Sequence, residues 1–169
     1  TGVATDSAGD VYVVDYANHR IQKFSGTGAY LTQWGSPGNG DGQFNSPVGV
    51  ATDVVGNVYV VELDNRRIQK FTGTGAYLTQ WGSPPDSSDR LFVAPYGVAT
   101  DAAGDVYVTD FGSHCIKKFT NTGTYLTQWG SFGSGNGEFH SPQGVATDAA
   151  GNVYVADYNN HRIQKFTGT

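Results

Sequence analysis

Histidines recur at one repeated position of this chain, which raises the question of a metal site. His19, His114 and His161 occupy equivalent positions, and Arg66 stands at the fourth. Because histidine is the commonest metal ligand, a ring of three could hold a divalent ion. A fixed cation at Arg66 would repel that ion, and a histidine required by the local turn explains the recurrence without a metal. We therefore interpret these histidines as structural and expect neither a metal nor a cofactor.

Carboxylates recur in two sets, and each set has a chemical and a structural interpretation. The first comprises Asp15, Glu62, Asp110 and Asp157, followed in three copies by Arg20, Arg67 and Arg162. Paired carboxylates could perform acid–base chemistry, but an acid facing an arginine across a turn more simply predicts an ion pair. The second set, Asp6, Asp53, Asp101 and Asp148, could bind Ca²⁺, although a glycine three residues later favours turn-capping aspartates. We expect both sets to be structural.

Composition argues against several other functions. Ten Lys and Arg against fifteen Asp and Glu give a net charge of −5, whereas a nucleic-acid surface needs many basic contacts. No apolar run approaches the roughly 18 residues that span a bilayer, and no signal-peptide-like start is present. The single Cys115 excludes an intrachain disulfide. Near-identity between the repeated segments argues against an asymmetric active site, since catalysis needs unlike residues converging on one point.

The elements that position these residues are repeats. The phrase Gly-Val-Ala-Thr-Asp occurs four times, at intervals of 47, 48 and 47 residues, and begins at Gly2, Gly49, Gly97 and Gly144. A period of this length is typical of repeat architectures. We divide the single array 1–169 into repeats 1–47, 48–94, 95–142 and 143–169, the last of which is incomplete.

Each repeat is predicted to form four short strands. In the first repeat these are Gly2–Asp6, Asp10–Asp15, Arg20–Ser25 and Ala29–Trp34. The second strand is apolar on both faces, so both faces of the sheet must be covered. Stacking such sheets around an axis covers them, and that arrangement is a β-propeller with the Gly-Val-Ala-Thr-Asp strands innermost.

The chain resembles the NHL-repeat family over essentially its whole length. The resemblance lies in Asp-x-x-Asn-His-Arg-Ile-Gln-Lys-Phe, at Asp15–Phe24 and Asp157–Phe166, together with Gly-Val-Ala-Thr-Asp and Gly-Asn-Val-Tyr-Val. It implies an all-β propeller of four-stranded antiparallel blades, most often six in number, that serves as a recognition platform. Some relatives with this fold are lyases or hydrolases with metals in the central channel.

The strand count predicts three full blades and three strands of a fourth, which leaves the closure of the ring open. A tighter four-bladed ring, association between chains, or further blades in a longer parent protein would each complete it. We expect the third, as part of a six-bladed ring. Phe44, Phe92 and Phe139, each three residues before a proline, are predicted to be buried anchors between blades.

The variable loops predict a binding face. Turns between strands 2 and 3 and the crossings between blades should lie on one face of the disc and differ between copies, whereas the other turns are nearly invariant. The candidate binding residues on this face are Tyr16, His19, Leu63, Arg66, Arg90, Phe111, His114, Phe132, Tyr158 and His161. We expect a non-enzymatic scaffold that binds a protein or another ligand. The alternative is a fragment of a propeller lyase or lactonase-like hydrolase whose catalytic residues lie in absent blades.

Overall fold

A computed structural model describes residues 2–82 and 91–168, which form four antiparallel β-sheets. Blade 1 contains β1 (Val3–Thr5), β2 (Val11–Asp15), β3 (Arg20–Phe24) and β4 (Tyr30–Trp34). Blade 2 contains β5 (Pro47–Thr52), β6 (Val58–Glu62), β7 (Arg67–Phe71) and β8 (Tyr77–Gly82). Blade 3 contains β9 (Pro95–Thr100), β10 (Val106–Asp110), β11 (Cys115–Phe119) and β12 (Tyr125–Trp129). Blade 4 contains β13 (Pro142–Thr147), β14 (Asn152–Asp157) and β15 (Arg162–Thr167).

Each blade is a meander in which consecutive strands pair, in the order β1-β2-β3-β4 and its equivalents. Short 3-10 turns at Tyr16–Asn18 and Tyr158–Asn160 join the second and third strands of blades 1 and 4. The expected all-β propeller of four-stranded blades, with three strands in the fourth, is therefore confirmed. Within the described residues, no helix has the length and apolar character of a membrane span.

The six-bladed ring implied by the family resemblance is not supported. The structure contains four blades arranged around one central channel, which all four inner strands line. The repeat motif specifies the blade, but the blade number follows from how many sheets pack side by side and at what angle. A motif that recurs identically in each copy carries no information about that angle.

The inner strands explain the Gly-Val-Ala-Thr phrase. A side chain at Gly49 would place its Cβ only 2.5 Å from the Tyr96 carbonyl oxygen of the next blade, so glycine permits the close approach of the strands. The threonine hydroxyls then connect the blades. Thr52, Thr100 and Thr147 donate to the backbone carbonyls of Thr5, Thr52 and Thr100, at 2.8, 2.7 and 2.7 Å.

The cores lie between the sheets. Tyr12, Val14 and Ile21 of blade 1 pack against Val58, Val60 and Phe71 of blade 2, and equivalent clusters fill the next two junctions. The three crossing phenylalanines are fully buried, as expected, and pack at a tilt against a phenylalanine of the third strand of the following blade. Their ring centroids lie 5.6, 5.5 and 5.6 Å from those of Phe71, Phe119 and Phe166.

Candidate functional site

The repeated histidine position closes the turn between strands 2 and 3. His19, Arg66, His114 and His161 all adopt left-handed backbone conformations, with φ of 52, 50, 55 and 52°. The His19 and His161 amides donate to the carbonyls of Tyr16 and Tyr158, both at 3.2 Å. Histidine enters this region of backbone space more readily than most residues. Within residues 2–82 and 91–168, no three His, Cys, Asp or Glu side chains gather at a spacing that would hold a metal.

The carboxylates before this turn form the predicted ion pairs. Arg20 pairs with Asp15 at 2.7 Å, Arg67 with Glu62 at 2.6 Å, and Arg162 with Asp157 at 2.8 Å, measured from Nε. In blade 2 the arginine also donates to the carbonyls of Asn39, Gly40 and Gln43 in the preceding crossing. In blade 4 it donates in the same way to Gly135 and Glu138. Each of these two pairs therefore holds a variable crossing onto its blade.

Blade 3 holds its crossing differently, because Cys115 replaces the arginine. The Lys117 ammonium, two residues further on, lies 2.7 Å from the buried Asp110 carboxylate. The amides of Val93 and Ala94 in the crossing donate to the same carboxylate at 3.0 and 2.9 Å. Burial alone raises the pKa of Asp110, but the hydrogen bonds from Lys117 and the two amides outweigh it and hold that pKa below its ordinary value.

The second set of aspartates caps the turns on the opposite face, as expected. Asp148 accepts the Asn152 side-chain amide at 2.8 Å, the Asn152 backbone amide at 2.9 Å and the Ala150 amide at 3.0 Å. Asp6, Asp53 and Asp101 make the same kind of contacts. These aspartates and the inner threonines border a cavity of about 370 Å³ at one mouth of the channel. Their carboxylates are already engaged by the turns.

We expect the unfolding free energy to fall as the pH is lowered from about 4 to about 2. Hydrogen bonds from Asn152 lower the pKa of Asp148 from 3.8 to about 2. The pKa values of four further aspartates are also lowered, namely Asp6, Asp15, Asp110 and Asp157. A carboxyl whose pKa is lower in the folded state stabilises the fold above its unfolded pKa, and loses that contribution as the pH falls through the folded one. Urea unfolding at a series of pH values measures this.

The control for the pH experiment is Asp148→Asn, which should show a shallower decline than the unmodified chain because it lacks one of the titrating groups. A stability profile that stays flat between pH 4 and pH 2 would contradict the proposed role of these carboxylates.

The variable face carries an aromatic and histidine cluster at the junction of blades 3 and 4. The rings of His114, Phe132 and His140 contact one another edge to face, with centroids 5.0 Å apart for both His–Phe pairs and 6.0 Å apart for the two histidines. Phe132 is 64% exposed, and Tyr158 in the following blade is 58% exposed. The His140 carbonyl accepts the Asn159 amide at 3.1 Å, which ties the cluster to the Tyr158 turn. We call His114, Phe132, His140 and Tyr158 the loop cluster.

His140 was missed by the sequence analysis because it has no counterpart in the other copies. The available signal was its position directly after the buried Phe139, which holds its backbone close to the His114 turn. His114 itself accepts the Ser141 amide through Nδ1 at 3.0 Å, so its ring is fixed against the crossing.

The other predicted binding residues do not form one surface. Tyr16 is 43% exposed in blade 1, where its hydroxyl hydrogen-bonds Ser46, and His161 is exposed in blade 4. Leu63 instead packs against the core between blades 2 and 3, and Phe111 is half-buried against Tyr96. His19 and Arg66 are half-buried at their turns. Arg90 lies outside the described residues.

Solved structures share this architecture at low sequence identity. A protein of unknown function from Bacteroides thetaiotaomicron matches with a TM-score of 0.78 and 20% identity, over 98% of this chain and 46% of its own. The nidogen/laminin complex matches with a TM-score of 0.74 and 22% identity, over 99% and 60%. Streptogramin B lyase matches with a TM-score of 0.68 and 18% identity, over 98% and 53%. The chain thus spans about half the length of the structures it resembles, and no curated protein matches it.

The family comparison agrees with the repeated motifs. The NHL repeat model matches residues 1–24, 92–119 and 139–166, which fall in blades 1, 3 and 4. Each match includes a second and a third strand together with the turn between them, where the ion pairs and left-handed residues lie. With its repeats folded as blades around one channel, this chain is a β-propeller in which blades 1, 3 and 4 match the NHL repeat.

Proposed function

We propose that this chain is a non-enzymatic interaction module that binds a protein partner on its variable face, through the loop cluster. The observation that carries the proposal is the solvent-exposed Phe132 ring, held between His114 and His140. The turn that carries exposed Tyr158 is tied to the His140 carbonyl through the Asn159 amide. Aromatic side chains are enriched in protein interfaces and among the residues that dominate binding energy. A partner that covers these rings buries apolar surface that now faces water.

The support beneath the cluster is rigid, which favours binding. The crossing that carries Phe132 is held by Arg162 and by Asn160, whose amide donates to the Gly133 carbonyl at 2.8 Å. Phe139 anchors the far end of the same crossing in the core. Because these contacts already order the loop, a partner meets less entropic cost on docking.

The relatives suggest two kinds of function on this fold, and the contacts of this chain favour the first. One similar structure is that of nidogen in a complex with laminin, and another is a streptogramin B lyase. Within the described residues, the carboxylates that precede the turns between strands 2 and 3 are bound by arginine or lysine, and no histidine forms an ion pair with a carboxylate. The face therefore presents aromatic contact area more clearly than an acid–base pair.

The test is to select ligands from a random-peptide phage library on the immobilised chain and to measure the affinity of an enriched synthetic peptide. We expect Phe132→Ala to weaken that affinity at least about tenfold, since truncating a central interface residue costs more than about 1.4 kcal/mol. Tyr158→Ala should weaken it in the same direction. Isothermal calorimetry gives both dissociation constants.

The matched control is Tyr125→Ala, which removes an aromatic ring that is 44% exposed on the outer strand of blade 3. It should leave the affinity within about twofold, because a ring outside the interface carries little binding energy. Equal weakening by Tyr125→Ala and Phe132→Ala, or a library that yields no enriched peptide, would speak against binding at the loop cluster.

A further inference from the structure

Three blade junctions are built from one repeated set of contacts. On the side of each junction that the earlier blade supplies, which we call the leading side, a lysine ammonium donates to a carbonyl just after the third strand of the next blade. These bonds are Lys23 to Gly73 at 3.3 Å, Lys70 to Asn121 at 3.0 Å and Lys118 to Gly168 at 2.8 Å. Beside each lysine an isoleucine of the same strand, Ile21, Ile68 or Ile116, is fully buried.

The trailing side is regular at the first two junctions, and at the third the equivalent valine, Val145, is half-buried. The first-strand valines Val50 and Val98 are only 6% and 7% exposed because the preceding blade covers them. Trp34 and Trp81 of the preceding blades lie against the turns between strands 3 and 4 of blades 2 and 3. An added Cβ at Gly75 or Gly123 in these turns would come within 2.7 Å of the indole ring. A junction therefore has two unlike halves, a leading face and a trailing face.

Blade 4 presents a leading face that is not covered. Ile163 is 65% exposed, whereas its three equivalents are fully buried. Lys165 occupies the position of the bonding lysines and lies over the Tyr154 ring at 5.2 Å. Among the described residues, no turn carbonyl accepts a hydrogen bond from it as Gly73 and Gly168 do from its equivalents.

Blade 1 presents the matching trailing face, also uncovered. Val3 is 65% exposed, against 6% for Val50 and 7% for Val98. An added Cβ at Gly28, the equivalent of Gly75, would meet no described atom within 4 Å. Gly26, the equivalent of the acceptor residue Gly73, is exposed.

We propose that a second copy of this chain binds head to tail, with blade 4 of one copy packing on blade 1 of the next. The two open faces are the two halves of an interface that the chain itself forms three times. Lys165 would meet the Gly26 carbonyl, Ile163 would lie against the trailing face of blade 1, and the Thr5 hydroxyl would approach the Thr147 carbonyl. Each copy carries one half of each kind, so the contact is heterologous and can repeat.

This contact is weaker than the internal junctions. The leading faces of blades 1, 2 and 3 each include a tryptophan, Trp34, Trp81 or Trp129, that packs on the next blade. The described part of blade 4 has three strands and supplies no such ring. We therefore expect association that depends on protein concentration, since mass action governs any assembly of modest affinity.

The experiment is sedimentation velocity on the 169-residue chain over a roughly hundredfold range of concentration. The unmodified chain should shift from monomer toward larger species as the concentration rises. Ile163→Glu and Val3→Glu place a charge in the centre of the leading and trailing faces, respectively, and each variant alone should remain monomeric. Both positions are 65% exposed within one copy, so neither change disturbs its core, and an unchanged melting temperature confirms that the variants fold.

Mixing the two variants gives the sharpest outcome. Ile163→Glu retains an intact trailing face and Val3→Glu an intact leading face, so one good junction forms between them and the mixture should contain a dimer and nothing larger. Leu126→Glu, a control on the outer strand at 45% exposure, should associate like the unmodified chain. A monomer at every concentration, association that neither variant abolishes, or a mixture that stays monomeric would each overturn the proposal.

Discussion

Replacing Phe92 by alanine is expected to lower the unfolding free energy by about 3–5 kcal/mol, the usual cost of truncating a buried phenylalanine. Phe92 is fully buried between blades 2 and 3, with its ring centroid 5.5 Å from that of Phe119. The Lys117 ammonium lies 5.4 Å from the same centroid. Truncation would leave a cavity at the point where the crossing enters blade 3, so both packing and loop attachment are lost.

Denaturant unfolding followed by tryptophan fluorescence measures this change. Phe132→Ala is the matched control, because it makes the same truncation in another crossing where the ring is 64% exposed. Its effect should stay within about 0.5 kcal/mol, as for most surface substitutions. Similar unfolding midpoints for Phe92→Ala and the unmodified chain would refute the anchor role.

The second large effect is expected from Arg67→Leu, which should destabilise the fold by about 3–5 kcal/mol because it leaves a buried charge without its partner. The Glu62 carboxylate is fully buried, and the Arg67 side chain is only 9% exposed. The substitution also removes the donors to the carbonyls of Asn39, Gly40 and Gln43, so the first crossing loses its main attachment to blade 2. Leucine keeps an apolar side chain where the methylene groups of the arginine lie, so the expected loss of unfolding free energy comes chiefly from these polar contacts.

Arg20→Leu provides the comparison at the equivalent position. Its side chain is 31% exposed and its partner Asp15 is 20% exposed, and exposed ion pairs contribute about 0–1 kcal/mol. Urea unfolding of the two variants should therefore separate them clearly. If both cost the same, the burial of the pair and its bonds to the crossing would not be the source of its stability.

These effects bear on how the fold supports binding. The residues that differ between copies lie in loops that are fastened by residues that recur, such as the acid–arginine pair and the crossing phenylalanine. Loops can thus change at their tips, as Phe132 does, while their ends stay attached. This division suits a scaffold whose binding surface varies on a constant frame.

The sequence by itself determined the blade. Repeats of 47 and 48 residues with alternating apolar strands leave both sheet faces to be buried, and only stacking of similar sheets does so. The acid–arginine pairs and the buried Phe44, Phe92 and Phe139 were predictable for the same reason, since each recurs at a fixed place in the repeat. The role of Lys117 was not predictable, because it pairs with the carboxylate in place of the arginine although its position is occupied by glutamine in the other copies.

Only the tertiary structure decided what depends on contacts between blades. The structure contains four blades rather than the six that the family resemblance implies, because the packing angle of the sheets is not written in any one repeat. His140 joins His114 and Phe132 because one crossing folds back over a turn more than twenty residues earlier in the chain. Ile163 and Val3 read as ordinary core residues in the sequence, and they are exposed because burial at a junction requires a neighbouring blade on that side.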